Sequence, residues 1–256
     1  MNADEGTRVL VAVQGGVLNA TLNRPDKKNA IDTAMIGALD QVLERADLDA
    51  DVRVVALRGA GKDFCAGMDL NELLASADKS VEDNRRAALQ FGNLFVRMRA
   101  LPKPIVAVVQ GRALAGGCGL ATACDIVLAA ESAQLGYPEV QRGFVPALVM
   151  NMLRRAVGEK VAFDLAATGR ILSATEAAAL GLVSRVYEDS DFEDQVGDVM
   201  RSLAQSSPSS LAFTKQQFYQ LDGLGFEEGI RLAADVNAVS RTTPDFRAAL
   251  SAFLKK

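Results

Sequence analysis

Two glycine-rich segments and one glutamate supply the residue types from which a reaction can be built. Phe64-Cys65-Ala66-Gly67-Met68-Asp69-Leu70 follows one apolar run. Gly111-Arg112-Ala113-Leu114-Ala115-Gly116-Gly117-Cys118-Gly119 follows another and opens a helical pattern. A helix N-terminus presents N–H groups without intrahelical acceptors and a partial positive charge. Small side chains there let a ligand oxygen approach the backbone. Two such N–H groups, one from each loop, would grip a carbonyl oxygen as it becomes an enolate oxyanion; losing one donor of that kind typically costs about 10²–10³ in rate. The glutamate is Glu139, in Tyr137-Pro138-Glu139-Val140-Gln141-Arg142-Gly143-Phe144. A carboxylate after a proline in a mostly apolar stretch fits a desolvated base. Taken singly, each feature also has a plainer role: glycines for turns and close helix packing, a glutamate in a solvated loop.

The elements that must position these residues follow from periodicity and punctuation. Arg8 to Val13 and Gly16 to Leu22 predict two strands around a glycine turn. Asp32 is a helix N-cap, followed by Met35, Leu39, Val42, Leu43 and Ala46 at helical spacing. Val52 to Leu57 is a buried strand, and Gly59 to Leu70 a loop. A charged helix runs from Val81 to Ala100 and is stopped by Leu101-Pro102-Lys103-Pro104. The wholly apolar Ile105 to Val109 is a strand covered on both faces. Gly111 to Gly117 is a turn, Gly117 to Ala123 a short helix and Asp125 to Ala129 the next strand. Beyond this α/β core, Asp191 to Ala204, Ser209 to Leu221, Phe226 to Ser240 and Pro244 to Leu254 are helices. Pro208 and Pro244 fall at helix starts, with Thr243 as a cap.

Composition removes several chemistries. The 256 residues include no histidine, which excludes histidine-dependent triads and histidine metal sites. Acid–base work falls to Asp, Glu, Lys, Tyr or Cys. Gly59-Ala60-Gly61-Lys62 lacks the residues of a phosphate loop, and no G-x-G-x-x-G occurs. The net charge of −4 disfavours general nucleic-acid binding. Cys65, Cys118 and Cys124 are an odd, sparse set, expected as buried free thiols in a reducing, cytoplasmic compartment. Met1 to Thr7 shows no signal-peptide core. The longest mostly apolar run, Ala113 to Cys124, is shorter than the roughly 18 residues of a membrane span.

In order and spacing, the chain resembles the crotonase superfamily, the enoyl-CoA hydratases and isomerases, over nearly its whole length. The resemblance rests on Leu22-Asn23-Arg24-Pro25-Asp26-Lys27-Lys28-Asn29-Ala30-Ile31, Phe64 to Leu70 and Lys103 to Gly111. It continues through Ala115-Gly116-Gly117, Cys124-Asp125-Ile126, Pro138-Glu139, Thr168-Gly169-Arg170 and Ala177 to Val183. It implies an α/β fold, a crotonase (ClpP-like) spiral of ββα units over residues 1–190. Residues 191–256 would form a helical trimerisation region, so the expected partner is a second and third copy, as a homotrimer or a dimer of trimers. It implies an oxyanion hole from the backbone N–H groups of Met68 and Gly116, with Glu139 as proton-transfer group. Acyl-CoA contacts are implied at Lys28, Ala30, Ala66, Asp69, Leu70, Leu114 and Gly117, with Phe253 and Lys256 reaching a neighbouring subunit's ligand. No metal or redox cofactor is indicated, and coenzyme A enters as the thioester part of the substrate.

The departure from the pattern sets the reaction. Similar hydratases place a glutamate three residues after the oxyanion-hole glycine, where this chain has Gly119. Glu139, the second carboxylate, is retained. Single-base double-bond isomerisation is therefore the favoured reaction. Hydration is the alternative, with a replacement acid from the segment Glu72 to Asp83. A non-catalytic acyl-CoA-binding protein is the reading from another class, and RNA binding a third. The resemblance places Ala147 where dienoyl-CoA isomerases carry an acid, and the histidine of the aryl-CoA dehalogenases is missing. Residues 72–100 and 141–152 are expected around the acyl group, with Val145, Leu148, Val149 and Met152 as apolar lining or as core.

Overall fold

The computed structural model describes residues 6–255. The start of the polar N-terminal stretch and Lys256 lie outside that range. β1 (Val9–Gln14) and β2 (Val17–Leu22) form an antiparallel hairpin around Gly15-Gly16. α1 (Thr33–Leu48) starts where Asp32 accepts the Met35 N–H at 2.8 Å, and it buries the five apolar residues predicted from its spacing. β3 (Val54–Gly59), α2 (Leu70–Ser76) and α3 (Val81–Ala100) follow, then β4 (Ile105–Val109), β5 (Arg112–Leu114) and α4 (Gly116–Ala123). Next come β6 (Ile126–Ala130), β7 (Gln134–Gly136), a 3-10 turn over Pro138–Arg142, α5 (Ala147–Val157) and α6 (Glu159–Thr168). β8 (Ile171–Ser173), α7 (Ala174–Ala179) and β9 (Arg185–Tyr187) lead into α8 (Phe192–Gln205), α9 (Pro208–Gln220), α10 (Phe226–Ser240) and α11 (Pro244–Phe253).

The larger sheet has the order β1-β2-β3-β4-β6-β9 and is parallel from β2 onward. A smaller sheet, β5-β7-β8, takes the second strand of successive units. Single bridges between Cys65 and Ala113 and between Ile31 and Met68 extend that second ladder. The chain thus climbs as a spiral, one strand of each turn entering each layer. Every residue of β4 is buried, because both faces of the larger sheet are covered. On one face Val55, Leu57, Ala107 and Val109 join the core made with α1 and α3. On the other, Val54, Ala56, Val106, Val108 and Leu128 meet Phe192, Val196 and Met200 of α8. Each of those three α8 side chains contributes roughly 1.5–3 kcal/mol of burial. The first helix beyond residue 190 therefore packs as a layer of the sheet.

Two local expectations are revised, and the segment after Glu139 gains its elements. Arg112–Leu114, read as turn, is a strand of the second sheet. The segment after Glu139 holds two helices, α5 and α6, split at Gly158, whose φ of +77° an L side chain rarely adopts. The end of the Gly59 to Leu70 loop is bridged backbone that runs into α2. Among the described residues, no helix is long and apolar enough to cross a membrane.

Candidate active site

Four stretches of backbone are stitched side by side into one site. The Ala66 N–H donates to the Lys28 carbonyl at 2.9 Å, the Ile31 N–H to Gly67 at 2.8 Å and the Asp69 N–H to Ile31 at 2.8 Å. The Cys65 N–H reaches the Arg112 carbonyl at 3.0 Å, and the Leu114 N–H returns to Cys65 at 2.9 Å. Finally the Ala115 N–H reaches the Gly136 carbonyl at 2.8 Å, three residues ahead of Glu139. This ladder gathers Lys28, Ala30, Ala66, Met68, Asp69, Leu114, Gly116, Gly117 and Glu139, residues spread over more than a hundred positions of sequence.

Glycine is required where α4 meets the preceding loop. A Cβ on Gly117 would lie 2.3 Å from the Cys65 carbonyl oxygen, which the ladder holds in place. Gly67 has φ +100°, and a Cβ there would stand 3.4 Å from the Gly116 nitrogen, so the two loops touch at the amides of interest. Ala115, the residue before α4, is held at φ +51° and ψ −128°, a strained conformation for a residue with a side chain. The first intrahelical bond of α4 runs from the Gly119 N–H to Ala115 at 2.9 Å. The N–H groups of Gly116, Gly117 and Cys118 are therefore left without intrahelical acceptors. The Met68 N–H likewise meets no acceptor among the described residues.

Arg24 and Asn29 hold this framework, and neither was singled out from the sequence. Arg24 donates to the Ala30 carbonyl at 2.6 Å and to Asp69 Oδ2 at 2.8 Å, and pairs with Asp32 Oδ2 at 3.3 Å. It thereby ties together the N-caps of α1 and α2. The Asn29 amide donates to Ala60 at 2.9 Å and Asp63 at 2.7 Å. The Asp69 carboxylate also accepts the Asn71 N–H at 2.9 Å, and its hydrogen bond from Arg24 holds it below the usual aspartate range. Lys28 sits in a left-handed conformation with an exposed side chain that pairs with no carboxylate among the described residues.

Glu139 is the second residue of the 3-10 turn and is only 7% exposed. Its Oε2 has no hydrogen-bond partner among the described residues. Burial raises its pKa; its own backbone N–H and Arg142 oppose the shift. Behind it, the buried Tyr137 hydroxyl meets Thr122 Oγ1 of α4 at 2.7 Å. Burial pushes the Cys118 thiol up to about 12, and the nearby Glu139 charge adds to that. Burial likewise takes Cys65 to about 12, so these are protonated thiols without nucleophilic character. The apolar wall begins where a Cβ on Gly116 would touch Phe91 at 3.4 Å and Met68 at 3.6 Å. The Phe91 and Phe95 rings pack in a tilted pair with centroids 4.6 Å apart.

Other expected residues lie at the surface or in the core. Leu70 is the exposed first residue of α2. Phe253 is exposed at the end of α11, and among the described residues no hydrogen bond joins α11 to the ladder. Of the residues proposed to line the acyl group, Val149 and Met152 are core, Leu148 is half-buried and Val145 is exposed. The two acids that bound the segment considered for a replacement are engaged on the surface. Glu72 accepts the Thr33 N–H at 3.0 Å and the Thr33 hydroxyl at 2.9 Å, and Asp83 binds Ser80 and Arg86. Among the described residues no group of three or more Asp, Glu or Cys is arranged to hold a metal ion.

The enoyl-CoA hydratase/isomerase family profile matches residues 12–256. A chain of Thermus thermophilus, named as a candidate enoyl-CoA hydratase, is 44% identical over 243 residues, covering 95% of this chain and 96% of its own. The 1,2-epoxyphenylacetyl-CoA isomerase of Escherichia coli is 32% identical over 250 residues, covering 97% and 95%. The crystal structure of an enoyl-CoA hydratase from Mycobacterium smegmatis superposes with a TM-score of 0.92 at 31% identity, covering 97% and 96%.

Proposed function

The chain belongs to the enoyl-CoA hydratase/isomerase family, and we propose that it is an enzyme that shifts a double bond in an enoyl-CoA with Glu139 as its single base. The observation that carries this reading is a buried carboxylate with an unpartnered oxygen and a raised pKa, carried by the segment that the backbone ladder ties to the loops of Met68 and Gly116.

In the proposed reaction the Met68 and Gly116 N–H groups hold the thioester carbonyl oxygen. Glu139 takes a proton from C2 of a 3-enoyl thioester. The C–H electron pair moves into the thioester to give a dienolate, whose negative oxygen the two amides stabilise. The dienolate then takes the same proton at C4, the double bond settles between C2 and C3, and Glu139 is a carboxylate again. The sequence is redox-neutral. A positioned base of this kind is worth about 10²–10⁴ in rate, and a raised pKa brings it nearer the working pH.

The exposed Lys28 ammonium fits the phosphates of coenzyme A as a point charge. The pantetheine arm runs along Ala30, Ala66, Leu70, Leu114 and Gly117. Asp69 borders that arm, its carboxylate held by Arg24 and the α2 cap and its N–H by the Ile31 carbonyl. Phe253 and Lys256 serve a neighbouring subunit in a homotrimer or a dimer of trimers. Hydration as the main activity is disfavoured by the engagement of Glu72 and Asp83 elsewhere.

Wild type and Glu139→Gln are assayed with 3-hexenoyl-CoA and crotonyl-CoA. Conversion of 3-hexenoyl-CoA by wild type alone, with little hydration of crotonyl-CoA, is the expected result. Strong crotonyl-CoA hydration by wild type would sink the single-base reading. Inertness toward both would favour an acyl-CoA-binding protein.

A further inference from the structure

Resting on the single-base reading, a further observation identifies the residue that enforces it. Gly119 lies three residues after Gly116, on the same side of α4. A Cβ added there would sit 2.1 Å from Val149 Cγ1 and 3.0 Å from Val149 Cβ, with the Phe95 ring at 3.9 Å. The space beside Gly119 is therefore filled with hydrocarbon. Val149 is 3% exposed and faces inward from α5 with Met152 and Leu153. A valine in a helix has one strongly preferred rotamer, so its methyl cannot simply rotate aside. Met68, Phe91, Phe95 and Val149 border Gly116 and Gly119 in turn, so this side of α4 faces apolar groups at both glycines.

Isomerisation and hydration share an enolate. They differ in whether a water oxygen can reach C3. We propose that Val149 is a specificity-determining residue: its isopropyl group, backed by Phe95, occupies the space where a second acid and the water it holds would lie. Glu139 then exchanges its proton between two carbons of the acyl chain. Excluding water from a reactive intermediate is a recognised way to suppress a competing reaction.

The test compares Gly119→Glu with Gly119→Glu/Val149→Ala, using crotonyl-CoA hydration and 3-hexenoyl-CoA isomerisation. Hydration is expected to be at least about tenfold higher in the double variant than in Gly119→Glu, within the range an added acid supplies. Folding is read separately with Gly119→Ala and Gly119→Ala/Val149→Ala. The lone methyl is expected to lower the melting temperature by about 2–10 °C, and the Val149→Ala background to remove most of that loss. Equal hydration by Gly119→Glu with and without the second change would overturn the proposal. So would a Gly119→Ala variant as stable as wild type. These outcomes are distinct from failure of the single-base reading, which the wild-type enzyme reports on its own through crotonyl-CoA hydration.

Discussion

Glu139 shows how one residue can be legible in type and opaque in environment. The sequence supplies a carboxylate after a proline, a pattern equally compatible with a solvated loop. Burial becomes visible only in the fold, where the turn that carries Glu139 is tied to α4 through the Tyr137–Thr122 contact. The same burial makes its ionisation unfavourable to folding. Its pKa is raised in the folded state, so its contribution to stability is full below the ordinary glutamate value and is lost as pH rises through the raised pKa. Glu139→Gln is therefore expected to reduce isomerisation by about 10²–10⁴-fold and yet melt higher than wild type at mildly alkaline pH. The melting difference should shrink as the pH falls below the ordinary glutamate range. In wild type, kcat/KM should rise with pH through a pKa above the ordinary glutamate value, since the free base is the active form. A limb at or below that value would mean another group limits the rate. Lys28→Ala belongs to the same scale: its expected effect is a higher KM for acyl-CoA with kcat little changed, because a phosphate contact binds ground and transition states alike.

At the scale of elements, what the sequence reveals depends on whether the signal is local. The Asp32 cap, the spacing of α1 and the Leu101-Pro102 stop are local, and the expected bounds of α3 and β4 agree with those observed. The second sheet has three-residue strands, too short for an alternation to register, and they pair only with distant segments. The ladder that builds the site is of this kind, which is why the bracing by Arg24 and Asn29 is not legible in the chain. Gly117 tests that ladder. Gly117→Ala would drive a methyl into the Cys65 carbonyl, so a loss of about 3 kcal/mol in stability is expected by urea unfolding, together with activity. α9 is pinned by another non-local contact. Lys215, 7% exposed, pairs with Asp125 at 2.7 Å and donates to the Met98 and Lys103 carbonyls at 2.8 and 3.0 Å. Tyr219 donates to the same carboxylate at 2.7 Å. Lys215→Met leaves the Asp125 charge buried and uncompensated, so a loss of about 3–5 kcal/mol is expected. A near-neutral result would show that Tyr219 and the Ile105 N–H suffice to hold Asp125.

The whole molecule carries a feature that a single chain leaves unresolved. Among the described residues of α10 only Gly229 is buried, and α11 buries none. Phe226 is 88% exposed, Phe253 73%, Leu254 75% and Phe218 68%. Large apolar side chains exposed on three consecutive helices are the observation behind the proposed trimer. Two helices with so little burial of their own would be marginal in isolation, since most helical stability in proteins comes from packing. Spacing alone locates these helices but not their partner, which only the family resemblance implies, because amphipathic spacing is the same whether the apolar face meets its own core or another copy. The proposed trimer supplies the partner and brings the end of α11 toward a neighbour's ligand. Sedimentation of the wild-type chain is expected to give a multiple of three copies. Phe226→Asp places a charge in that surface and should dissociate it, and the KM for acyl-CoA should rise with dissociation while the α/β core keeps its circular dichroism. A wild-type monomer with full turnover would remove the trimer and, with it, the assignment of Phe253 to a neighbouring site. The single-base chemistry at Glu139 would stand, because every group it uses lies within one spiral.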